Sequence, residues 1–221
     1  MIRTKKIVAL FIAVAIVCAA TVSAYATVIT PNSIDLETSP ETLFVDVNYG
    51  DWFYTYVRFA FVNDLMQGTS HTEFSPNTPT TRAMFVTILW RLMDSPITND
   101  YNRFADVLDG TWYANAVNWA AANGLVFGII ENVFDPHSNI TREQMATIIY
   151  RYQRFIGNVL PYIVENVTFS DLYDTSPSGK EGVMKVSAQG VMRGHYDGTF
   201  APRDSATRAE VAVVLSRISR I

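Results

Sequence analysis

The chain has 221 residues, 49% of them hydrophobic, and a net charge of −4 from 17 Lys and Arg against 21 Asp and Glu. That is enough apolar chain to bury a good core, and the acidic balance excludes a generic polyanion or nucleic-acid binder. A single cysteine excludes a disulfide framework.

The chain opens with Arg3, Lys5 and Lys6, followed by an apolar run from Ile7 to Ala20 that is short for a membrane span. Ala24-Tyr25-Ala26 then places small residues at a cleavage site. Residues 1–26 read as a secretory signal peptide. Removing 26 of 221 residues leaves 195 and takes three basic residues and no acidic ones, so the net charge moves from −4 to −7. Cys18 leaves with the signal, and Val17 before it is not the small residue a lipidation site prefers. A mature chain exported without thiol or disulfide suits a bacterial surface. Only Lys180 and Lys185 remain as lysines, so any bound anion must be gripped locally by a few arginines. Residues 27–41, polar and carrying Pro31 and Pro40, read as a flexible lead.

The rest of the chain is one unit written three times. Gly68, Phe74, Pro76, Thr81 and Arg82 recur as Gly128, Phe134, Pro136, Thr141 and Arg142, and again as Gly194, Phe200, Pro202, Thr207 and Arg208. The pattern is G-x5-F-x-P-x4-T-R without insertion. Each copy is led by an F-x-D element, Phe44 to Asp46, Phe104 to Asp106 and Phe169 to Asp171. Trp52 and Trp112 follow in the first two copies, and alignment reaches Ser178 in the third. The copies stand 60 and then 65 or 66 residues apart.

Two helices are predicted per copy. The first, with its N-cap at the aspartate (Asp46, Asp106, Asp171), presents Val57, Ala60, Phe61 and Leu65, then Val117, Ala120, Ala121 and Leu125, then Val183, Val186 and Val191. It should end at a left-handed residue, Asp64, Gly124 or Gly190. The second is capped by Thr81, Thr141 or Thr207, with Gln144 and Glu210 completing capping boxes that the first copy lacks. Its face is Phe85, Ile88, Leu89 and Leu92; then Met145, Ile148, Ile149 and Tyr152; then Val211, Val214, Leu215 and Ile218. One hairpin cannot bury such a face alone. The expected fold is all-α, three helical-hairpin repeats (42–92, 102–152, 167–221) packed as a pseudo-three-fold bundle. Phe74, Phe134 and Phe200 should anchor the loops in the core.

These motifs together, F-x-D-V, W-(Y/F), A-V-x-x-A, G-x-x-x-G and T-R-(A/E)-(E/Q), resemble the S-layer homology repeat over about residues 42–221. The resemblance implies a secreted protein of the cell wall or cell surface (the S-layer), anchored without a covalent bond. Its implied partner is a secondary cell-wall polysaccharide or a peptidoglycan-linked glycan, often pyruvylated and held in grooves between repeats. It implies a monomer with internal pseudo-symmetry, no nucleic acid, no membrane after signal cleavage, and no cofactor or metal. The arginine of the T-R element carries over as a ligand contact to Arg82, Arg142 and Arg208.

Two roles are open to those arginines from the residues alone. An arginine at the first helical position sits where the helix dipole disfavours a cation. Open backbone N–H groups and a guanidinium fork there would form a grip for a carboxylate. Alternatively the arginine pairs within the bundle and clamps it. Trp52 and Trp112 are either core residues or platforms for a sugar ring. The third copy lacks that aromatic, and its groove, taken to be that of Arg208, should be the weaker. No H-E-x-x-H, G-x-S-x-G or phosphate-loop motif occurs, and the three histidines lack metal-ligand spacing. The competing functions are a surface protein–protein module and, less favoured, a glycan hydrolase.

Overall fold

The computed structural model describes residues 43–98 and 103–219, all within the unit Leu36–Ile221. The signal peptide and the lead expected over residues 1–41 lie outside the described residues. Among the described residues six α-helices follow in chain order: α1 Tyr54–Val62, α2 Arg82–Leu92, α3 Ala114–Ala122, α4 Arg142–Phe155, α5 Lys180–Ala188 and α6 Arg208–Ile218, with a 3-10 turn at Leu172–Asp174. Among the described residues there are isolated β-bridges and no strand. The fold is all-α.

The first helix of each repeat stops as its sequence predicts. Asp64, Gly124 and Gly190 adopt φ of 55°, 69° and 69°. The next residue then bonds back across the turn, Leu65 to Ala60, Leu125 to Ala120 and Val191 to Val186, at 2.8–2.9 Å. The second helices start as predicted too. The Thr81, Thr141 and Thr207 hydroxyls accept from the backbone N–H three residues on, and full capping boxes form with Gln144 and Glu210 alone.

The aspartates do something else. Asp46, Asp106 and Asp171 do not cap the first helices, which begin after Phe53, Tyr113 and Gly179 without a side-chain cap. Each carboxylate instead accepts two consecutive backbone N–H bonds from the F-x-P loop. Asp46 takes those of Phe74 and Ser75, Asp106 those of Phe134 and Asp135, and Asp171 those of Phe200 and Ala201, all at 2.7–2.9 Å. The second residue of each pair is left-handed, with φ of 58°, 60° and 54° at Ser75, Asp135 and Ala201. Such a conformation costs a non-glycine residue energy that the two charge-assisted bonds offset. The aspartate therefore ties the start of a repeat to its middle and drops Phe74, Phe134 and Phe200 into the core, each fully buried.

Helices pack most closely between repeats: α2 against α3, α4 against α5, and α6 back against α1. The loops meet in a closed ring of hydrogen bonds. The Thr80 N–H donates to Ala206, that of Ala206 to Ile140, and that of Ile140 to Thr80, each at 2.9 Å. Thr80, Ile140 and Ala206 are fully buried, and the predicted faces of all six helices contribute to one continuous apolar cluster. No repeat completes a core by itself, because the partner of each helix belongs to its neighbour.

Candidate functional site

The three T-R arginines lie at the junctions between repeats, where the helix N-termini are not open. The N–H groups of Arg82 and Ala83 donate to Ser138 and Pro136, those of Arg142 and Glu143 to Asp204 and Pro202, and those of Arg208 and Ala209 to Thr78 and Pro76, at 2.9–3.0 Å. The threonine caps take the next N–H in each helix. Three of the four orphan donors of α2, and all four of α4 and α6 once the capping boxes are counted, are thus satisfied by protein, which corrects the expectation that bare backbone N–H groups await an anion.

The guanidinium groups bridge repeats in a common way. The Nε atoms of Arg82, Arg142 and Arg208 donate to the carbonyls of Phe134, Phe200 and Phe74, at 2.9, 2.8 and 2.7 Å. Each guanidinium also lies over the ring of that same phenylalanine, 4.6, 4.9 and 4.5 Å from the centroid. Burial pushes the Arg82 and Arg208 pKa values down, while Asp135 and Asp106 beside Arg82, and Asp46 beside Arg208, pull the other way.

The terminal nitrogens separate the three. Arg142 commits both, one to the Glu210 carboxylate and one to the Arg193 carbonyl at 2.9 Å. Arg208 commits one, to the Gln67 carbonyl. Arg82 commits neither among the described residues, although only 5% of the residue is exposed.

Arg82 lines a groove of about 430 Å³, within the range of small-molecule sites. Phe127, Gly128, Glu143 and Arg151 of the second repeat and Ser178 of the third complete much of its wall. Three repeats therefore build this one groove. Glu143 reaches across to accept the Ser176 N–H at 2.8 Å, so its charge is held toward the third repeat. Ser178, the counterpart of the two tryptophans, lies with Arg82 rather than with Arg208. This groove has no indole in its lining, and the terminal nitrogens of its arginine make no hydrogen bond among the described residues.

Trp52 and Trp112 are surface residues, 63% and 56% exposed. Each stands edge-on to the following ring, Trp52 to Phe53 at 5.3 Å and Trp112 to Tyr113 at 5.1 Å. They are not core, and neither lines the Arg82 groove.

A second repeated arginine escaped the sequence reading. Arg91, Arg151 and Arg217 donate to the carbonyls of Leu65, Leu125 and Val191, the residues just past the end of the first helix, at 3.2, 3.2 and 2.7 Å. The signal was present, since each stands nine positions after Arg82, Arg142 or Arg208.

The S-layer homology domain model matches residues 43–84, 103–146 and 168–212. The chain is 31% identical to an endoglucanase of Bacillus sp. (strain KSM-635) over 79% of its own length and 18% of that protein. It is 30% identical to an amylopullulanase of Thermoanaerobacterium thermosulfurigenes over 75% of this chain and 9% of the relative. To a cellulosome-anchoring protein of Acetivibrio thermocellus it is 26% identical, over 65% of this chain and 33% of that protein. It therefore spans a third or less of the length of each of these relatives. Three matched copies, in register with three Asp-to-loop ties and three arginine bridges, place the chain in the S-layer homology domain family.

Proposed function

We propose that this chain is a non-catalytic module that attaches to the cell wall by holding an anionic, pyruvylated secondary cell-wall polysaccharide between its repeats. In this reading it is secreted, cleaved after Ala26, and works at the cell surface as a monomer. Family membership and the likeness to a cellulosome-anchoring protein support the anchoring role. The closed ring of loop hydrogen bonds and the cyclic helix pairing support a pseudo-three-fold arrangement.

The observation that carries the ligand assignment is the Arg82 guanidinium. It is buried, charged at neutral pH, and presents two uncommitted terminal nitrogens to a groove. A carboxylate can accept both in a planar fork. Arg208, with one uncommitted nitrogen, is a weaker grip, and Arg142 the weakest. Trp52 and Trp112 offer exposed faces on which sugar rings of the same polymer can stack. The test is co-sedimentation of the mature chain with cell-wall sacculi and titration with the released polysaccharide, with and without its ketal pyruvate. Binding should depend on pyruvate and fall with Arg82→Ala. Equal binding to the depyruvylated polymer would refute the carboxylate reading.

A further inference from the structure

The Arg82 groove has Ser178 where the first two repeats carry Trp52 and Trp112, yet it is not without an aromatic side chain. Phe127 lines it, 52% exposed. Phe127 precedes Gly128, and the matching positions before Gly68 and Gly194 are Gln67 and Arg193. Ile129, also in the groove wall and partly exposed, corresponds to Thr69 and His195. Only the second repeat has an apolar loop here, and that loop borders the groove that Ser178 lines.

Core packing does not account for this. Phe127 is absent from the apolar cluster, whereas its neighbours Leu125 and Val126 are buried in it. Two cations lie over its ring, Arg151 at 4.7 Å and Arg103 at 5.6 Å from the centroid. Arg151 is in turn held by the Leu125 carbonyl. A half-exposed ring that is braced, and that lies in the same groove as a guanidinium with free donors, has the features of a sugar platform. Pyranose rings present an apolar face of C–H groups, and an aromatic side chain supplies contact area at small entropic cost.

We propose that Phe127 is the sugar-stacking residue of the Arg82 groove, replacing from the G-x-x-x-G loop the aromatic that Ser178 does not provide. The ligand class is a pyranose unit carrying a carboxylate. The apolar ring face rests on Phe127 and Ile129, and the carboxylate meets the terminal nitrogens of Arg82. This inference rests on the anchoring function proposed above.

The test uses calorimetric titration of the mature chain with polysaccharide released by hydrofluoric acid from the walls of the producing strain. Phe127→Ala should weaken binding about tenfold, and Phe127→Leu, which keeps apolar bulk without a ring face, should do nearly the same. Phe127→Trp should bind at least as well as the parent, and Ser178→Trp should restore binding to Phe127→Ala. Melting temperatures read alongside separate packing from binding: a structural role would let Leu rescue affinity together with stability, which would overturn the inference. Unchanged affinity of Phe127→Ala while Arg82→Ala loses binding would also overturn it and leave the anchoring function intact. No binding by the parent chain would remove both. If the parent is a dimer and Phe127→Ala a monomer of unaltered affinity, the ring serves a contact between copies and the inference falls.

Discussion

Replacing the three T-R arginines should give opposite orders for stability and for binding. Arg142→Ala strips the Phe200 and Arg193 carbonyls of a charged donor and leaves the Glu210 carboxylate, 23% exposed, without its cation. Breaking a buried pair by removing one partner costs about 3–5 kcal/mol, and the lost carbonyl bonds overlap with that figure rather than adding to it in full. At roughly 2–4 °C per kcal/mol for a domain of this size, the melting temperature should fall by roughly 6–20 °C. Arg208→Ala removes two carbonyl bonds and no ion pair, and Arg82→Ala only one carbonyl bond with its ring contact. The Arg82 loss should be about 1.5–3 kcal/mol. Stability should therefore suffer in the order Arg142, Arg208, Arg82. Affinity for the pyruvylated polysaccharide should suffer in the reverse order, because uncommitted nitrogens number none, one and two. Differential scanning calorimetry and glycan titration of the three Ala variants read both orders. An Arg142→Ala chain melting within about 2 °C of the parent would refute the reasoning that these bridges hold the repeats together.

Further outcomes follow from other parts of the ring and its ties. Thr80→Val should raise stability by about 1–3 kcal/mol, because the buried Thr80 hydroxyl, at the meeting point of the three loops, has no hydrogen-bond partner among the described residues; urea denaturation measures it. Asp106→Asn should cost about 1.5–3 kcal/mol, since an amide offers one acceptor where the carboxylate serves the Phe134 and Asp135 N–H groups. A fragment of residues 100–155 should show no cooperative thermal transition, as it holds α3 and α4 without their partners α2 and α5. Gln144→Glu should lower glycan affinity and raise the melting temperature.

Much of the fold was legible because it is local and repeated. The left-handed stops at Asp64, Gly124 and Gly190, the threonine caps, and the missing capping box of α2 all depend on residues within a few positions of one another. The apolar faces were readable for the same reason. Partners distant in sequence were not. An aspartate ahead of a helix suggests an N-cap from spacing alone, yet Asp46 serves Phe74, 28 residues on. Nor does sequence say that a groove takes its arginine from one repeat, its loop from the next and its third wall from the last. The indole missing from the third repeat was visible, but it affects the groove of Arg82, because the helices pair between repeats. Arg82, Arg142 and Arg208 look interchangeable in sequence. Their difference lies in contacts made across junctions some 50 or more residues away.

What sets Arg142 apart from the other two includes one position on a neighbouring helix. The third residue of each second helix is Met84, Gln144 or Glu210; Glu210 meets Arg142, and Gln144 lines the groove with Arg82. Glu210 has two acceptor oxygens: one closes the capping box on the Thr207 N–H at 2.8 Å, and the other takes Arg142. Gln144 has a single oxygen, spent on the Thr141 N–H at 3.1 Å, and its amide nitrogen cannot accept from Arg82. Met84 offers Arg208 no oxygen at all. A capping box made with glutamate thus silences the neighbouring arginine, and one made with glutamine leaves it available. Gln144→Glu should transfer the Arg142 arrangement to Arg82, supplying an internal carboxylate that competes with the ligand's own. The expected result is about a tenfold loss of glycan affinity with a higher melting temperature. Glu210→Gln should release Arg142 and keep the box. If Gln144→Glu leaves affinity unchanged, the terminal nitrogens of Arg82 are not where the ligand carboxylate binds.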